Sequence, residues 1–158
     1  MNELFNAIDS ERARLKLMKR EVSEGIDRLS TNSHVWRTIK SGKIRFFLVL
    51  EICRLLKLKV IIINPRKSRD SEHDIMVDKL GFYKCINLEK EDFGISNYDL
   101  AKLVGAPTSR GNVWTNITSL GLQYNQVVTI CDALGLELII RSPTKKISYQ
   151  LNDPKTKR

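Results

Sequence analysis

The chain has 158 residues, 42% of them apolar and 28% charged, with 8 Gly and 4 Pro; this suits one ordinary folded domain or two small ones and excludes a wholly disordered or collagen-like polymer. The net charge of +9 permits a polyanionic partner, and it is unevenly spread: residues 1–70 hold 16 basic against 8 acidic side chains, residues 71–140 hold 5 against 9, and residues 141–158 hold 6 against 1. Three Cys without a C-x-x-C pair, only two His, no secretory segment and no apolar run near the length of a membrane span predict a cytoplasmic protein with no metal, no cofactor and no membrane span.

In chain order, residues 2–20 read as an amphipathic segment with Leu4, Ile8, Leu15 and Met18 on its apolar side. Val22, Ile26 and Leu29 give a second apolar stripe. Trp36 and Ile39, three apart, suit the buried side of a short helix whose other side is polar, with Arg37, Thr38 and Lys40. Val49, Ile52, Cys53 and Leu56 recur at steps of three and four and predict a helix with one buried face. KVIII (59–63) follows as a β-branched strand stopped by Pro65. Residues 66–73 (RKSRDSEH) contain no apolar side chain and are expected to be a solvated connection, with a phosphate-contacting arm as the alternative.

The second part of the chain repeats the first. Residues 35–65 align with 113–143 at an offset of 78 without a gap, and 12 of the 31 positions are identical. Trp36 matches Trp114, and Cys53 matches Cys131. A duplication of this length predicts two copies of one supersecondary module, each running helix, turn, strand. In the second copy Ser96 is placed to cap a helix that closes on Gly105. Val127, Ile130, Cys131 and Leu134 repeat the buried stripe, and Gly135 suits a left-handed helix end. LELII (136–140) is the strand, and the alternation of Ile147, Tyr149 and Leu151 predicts a hairpin back onto it. The domains are thus 1–65, a polar connection 66–73, a second unit 74–151 and a basic tail 152–158. Both tryptophans are expected in the core and Cys53 and Cys131 as small hydrophobes, while His34 and His73 lack partners at metal-ligand spacing.

INLEKEDFGISNYDLAKLVG, VWTNIT and VVTICDALGLEL together resemble the helix-turn-helix domain of the lambda repressor and Cro type. Gly94-Ile95-Ser96 stands where that family ends its first helix, and Leu100-Ala101 to Gly105 where its second helix closes. A recognition helix falls at about 112–118, and Ala133-Leu134-Gly135 is the final helix end. In the first copy WRTIKSGK, with Ser41, Gly42 and Lys43, is similar to the stretch leaving the recognition helix. Departures are the longer turn within 106–112, Val22-Ser23 in place of Leu-Ala, and Lys40 and Thr118 where the family carries a glutamate. The resemblance implies a mainly α fold of two lambda-repressor-like helix-turn-helix units, each followed by a short β-strand.

It also implies a sequence-specific regulator of transcription that binds double-stranded DNA, a repressor from a phage, mobile element or toxin–antitoxin pair, located in the cytoplasm at the nucleoid. The expected DNA-facing residues are His34, Arg37, Thr38, Lys40, Lys43 and Arg45 in the first unit, and Thr108, Ser109, Arg110, Asn112, Thr115, Asn116 and Thr118 in the second. Asn and Arg supply paired hydrogen bonds to adenine and guanine, and Lys supplies phosphate contacts. The two units are expected to form either an intrachain pseudo-dimer or, through their C-terminal strands, a homodimer. The alternatives are a protein-binding inhibitor or antitoxin that keeps the fold, and an architectural DNA-binding protein. No convergent acid, base and nucleophile set occurs, so no enzymatic activity is expected.

Overall fold

The computed structural model describes residues 2–26, 31–67, 72–103, 117, 120–142 and 147–154. Among them run α1 (Glu3–Arg14), α2 (Lys19–Ile26), α3 (Asn32–Ser41), α4 (Phe46–Leu55), β1 (Lys59–Ile63), β2 (Glu72–Asp74), α5 (Gly81–Phe93), α6 (Asn97–Leu103), α7 (Tyr124–Ala133), β3 (Glu137–Ser142) and β4 (Ile147–Gln150). The protein is mainly helical with one small antiparallel sheet of strand order β2-β1-β3-β4.

The offset of 78 seen in the sequence governs the elements as well. α1 starts at Glu3 and α5 at Gly81, α2 at Lys19 and α6 at Asn97, α4 at Phe46 and α7 at Tyr124, β1 at Lys59 and β3 at Glu137. The six left-handed backbone positions among the described residues obey the same rule: Lys16 with Gly94, Gly42 with Leu120, and Lys57 with Gly135. One member of each pair is a glycine, which adopts that conformation without strain, and the other is not.

The two copies are joined about a pseudo-twofold axis. In the β1–β3 pair Ile61 faces Ile139, its own counterpart, and the flanking pairs Val60–Ile140 and Ile62–Leu138 exchange under the same operation. A second crossing lies at the Arg45–Gln123 bridge, another counterpart pair. There the Phe46 amide donates to the Leu122 carbonyl (2.7 Å) and the Tyr124 amide to the Ile44 carbonyl (2.8 Å). One residue further, Phe47 donates to Leu120 and Asn125 to Gly42, each at 3.0 Å. Helix-start amides have no partner within their own helix, so each copy supplies acceptors for the start of the other's helix.

Buried carboxylates lock the outer strands. Glu11 and Glu89, counterparts in α1 and α5, are both buried. Glu11 accepts from Tyr149 of β4 (2.7 Å) and from Arg14. Glu89 accepts from Asn64 (2.8 Å), meets His73 of β2 at 3.0 Å and pairs with Lys67 at 3.2 Å. The first helix of each copy therefore holds the strand that follows the other copy's central strand. One continuous core, from Leu4 and Ile8 through Ile62 and Phe82 to Ile140, runs through both copies.

Several expectations need correction. Leu15 and Met18 are exposed, because α1 ends at Arg14 and they fall in the turn after it. Residues 66–73 are more than a solvated connection: Glu72 and His73 form part of β2, the Arg66 guanidinium donates to the Leu134 carbonyl, and Lys67 pairs with Glu89 and Asp92. The expected hairpin forms, with β4 pairing on β3, and the two apolar strands pair with each other inside the chain, which leaves neither free to pair with another chain. Trp36, Cys53 and Cys131 are buried as expected; Trp114 and Gly105 lie outside the described residues.

Candidate nucleic-acid interface

α3 is defined at both ends by its own sequence. Thr31 caps it by accepting from the His34 amide (3.1 Å), and Gly42 closes it at φ +77. Val35, Trp36 and Ile39 form its buried side, which leaves Ser33, His34, Arg37, Lys40 and Ser41 on the exposed side. Asn2 ties this helix to the start of α1: its Oδ1 accepts from the Phe5 amide (2.7 Å) while its Nδ2 donates to the Ile39 carbonyl (2.9 Å).

A groove of about 350 Å³ opens between the start of α2 and α3, lined by Lys19, Asn32, Ser33, Trp36, Arg37 and Lys40. An aromatic pair sets the positions of its cations. Phe5 and Trp36 meet edge to face, with ring centroids 5.7 Å apart. The Lys19 ammonium sits 5.3 Å from the Trp36 ring and 5.7 Å from Phe5, and Lys40 sits 5.1 Å from Phe5. The indole Nε1 donates to the Lys19 carbonyl (3.1 Å), fixing the ring against α2. The ring faces attract both ammonium groups, so two lysines from different helices are held over one aromatic pair. The lining contains no carboxylate.

Elsewhere many cations are neutralised: Arg12 pairs with Asp9, Arg14 with Glu11, Arg54 with Glu51 and Arg141 with Glu72. Among the described residues none of Lys16, Lys19, Arg20, Arg37, Lys40 and Lys43 has such a partner. Exposed cations without a carboxylate partner attract nucleic-acid phosphates, whose condensed counterions are released on contact.

Of the residues expected to face DNA, His34, Arg37, Lys40, Lys43 and Arg45 are exposed. Arg45 donates to the Gly121 carbonyl (2.8 Å) at the crossing of the two copies, so its side chain also serves the internal contact. Thr38 is half-buried and its hydroxyl donates to the Val35 carbonyl (2.7 Å) of its own helix, which turns it away from an external acceptor. Thr108, Ser109, Arg110, Asn112, Thr115, Asn116 and Thr118 lie outside the described residues. The sequence reading overlooked Lys19, Asn32 and Ser33. Lys19 gives no repeat signal, since its counterpart is Asn97, but its place at the first turn before the Trp36 helix could have brought it in.

Burial governs the thiols. It pushes Cys53 up to about 12, and Cys85 and Cys131 higher still. No group of three His, Cys, Asp or Glu side chains among the described residues is placed to hold a metal ion, and no described helix is long and apolar enough to cross a membrane. Comparison of the chain with protein-family models, with curated proteins and with solved structures gives no match.

Proposed function

We propose that this protein is a sequence-specific double-stranded-DNA-binding regulator of transcription, a repressor of the lambda-repressor and Cro helix-turn-helix type, built as two such units in one chain and working at the nucleoid without enzymatic activity. The observation that carries the reading is the exposed side of α3, with Arg37 and Lys40 beside Lys19 in a groove free of carboxylates. A helix held on a small core by Val35, Trp36 and Ile39 and bare on its other side has the dimensions of the major groove. Lysines flanking it serve the backbone, whereas Arg37 and His34 are able to reach base edges.

A second reading, a protein-binding inhibitor or antitoxin that keeps the fold, draws on Leu88, Tyr98 and Leu103, large side chains exposed on α5 and α6. Capture of genomic fragments by the purified full chain at near-physiological salt separates the two. Enrichment of fragments sharing one short motif is the expected result. Recovery independent of sequence, or no recovery, overturns the regulatory reading.

A further inference from the structure

Counterpart positions of the two copies carry different charge. Lys16, Lys19 and Arg20, at the turn into α2 and its first residues, correspond to Gly94, Asn97 and Tyr98 at the start of α6. Arg37 and Lys40 on α3 correspond in sequence to Thr115 and Thr118, Lys43 to Gly121, and Arg45 to Gln123. Each of these seven cations of the first copy is replaced by an uncharged residue in the second. The backbone framework, by contrast, keeps its twofold pairing down to the exchanged amide bonds of Phe46, Phe47, Tyr124 and Asn125. At these positions the described framework keeps its pairing while the charge does not.

Resting on the DNA-binding reading above, we infer that one chain grips the duplex through its N-terminal unit alone, so that the pseudo-dimer occupies one half-site and the C-terminal unit stands clear of the phosphates. Each lysine or arginine that neutralises a phosphate contributes about 0.9 to the slope of log affinity against log salt. Gly94, Asn97 and Tyr98, standing in place of three cations, have no such contribution to make. A symmetric fusion would lay both copies along successive major grooves, about one helical turn apart; here the electrostatic attraction tilts the duplex off the axis toward Lys19, Arg37 and Lys40. A palindromic operator then needs two chains, one for each half.

The test compares one pair of substitutions in each copy of the full chain, on the duplex selected by genomic capture, with affinity measured across a salt series and each variant's melting temperature recorded. Lys19→Gln with Lys40→Gln is expected to weaken binding at least ~10-fold and to lower the salt slope by about two. Asn97→Glu with Tyr98→Glu, which puts carboxylates on α6 at the counterparts of Lys19 and Arg20, is expected to leave affinity within about two-fold and the slope unchanged, since charges beyond about 8 Å are screened at physiological salt. Arg37→Gln, fully on the surface, repeats the first arm should Lys19→Gln with Lys40→Gln melt early. A loss from Asn97→Glu with Tyr98→Glu as large as from the lysine pair overturns the inference while leaving DNA binding in place. Failure of the unaltered chain to bind any duplex overturns the DNA-binding reading and the inference with it.

Discussion

Ile61 and Ile139 face each other across the central strand pair and are also the same position of the repeat, so the pseudo-twofold axis passes between them. Both are buried, and their neighbours Ile62 and Ile140 are fully so. The junction of the copies is thus part of the core. Ile62→Ala is expected to cost about 2–5 kcal/mol, the usual range for emptying such a site. Because the core is continuous, both copies should melt in one transition by calorimetry; two separate transitions would show that they fold apart.

The three left-handed pairs give a directional prediction. Lys57 has φ +60 where its counterpart Gly135 has φ +69, and Lys57 is exposed, so its side chain has no packing to lose. Lys57→Gly is expected to raise stability by about 0.5–1 kcal/mol in chemical denaturation, by relieving the left-handed strain. Gly42→Ala should do the reverse and more. An added Cβ would lie 1.9 Å from the Asn125 Oδ1, and the Asn125 amide donates to the Ser41 carbonyl, so the substitution strikes a contact between the copies.

Glu89 predicts an acid limit. Burial pushes its carboxyl upward, but hydrogen bonds from Asn64, His73 and Lys67 outweigh this and hold it below the ordinary glutamate value of 4.5. A carboxyl lowered in the folded state stabilises above its unfolded pKa, and that contribution is lost as pH falls through the folded value. Stability should therefore decline as pH drops below about 4.5. Glu89→Gln should cost ~2 kcal/mol at neutral pH by removing the buried carboxylate that Asn64, His73 and Lys67 contact, and should flatten the acid decline. Denaturant melts at a series of pH values check both.

The buried thiols should be silent in the folded protein. With burial pushing Cys53 up to about 12 and the other two higher, little thiolate is present at neutral pH. A chromogenic disulfide reagent should label Cys53, Cys85 and Cys131 only after denaturant is added. Prompt labelling of the native protein would contradict their placement in the core.

What could be read from the sequence follows where apolar side chains are. α4, α7, β1 and β3 were legible because Val49, Ile52, Cys53, Leu56 and their counterparts repeat both identity and spacing. α1 and α5 share only Ile8/Ile86 and Glu11/Glu89 over their common length, so the offset of 78 could not be followed there, although Leu4, Ile8, Phe82 and Ile86 are all buried. A glutamate reads as a surface residue until its partners are placed, and those of Glu11 and Glu89 include Tyr149 of β4 and His73 of β2. β2 itself is Glu-His-Asp, a three-residue edge strand with no hydrophobic signal. In the candidate interface the α3 residues were legible from the Trp36–Ile39 spacing, but Lys19 joins them only through tertiary packing on Phe5 and Trp36.

Sequence-specific recognition of DNA is decided by equilibrium competition between the duplex selected from genomic DNA and a scrambled duplex of equal length, measured with the full chain at about 0.15 M salt. The expected result is a preference of at least about 10³-fold for the selected duplex, the lower range for specific DNA recognition. Equal affinity for the two duplexes, or none for either, would contradict it.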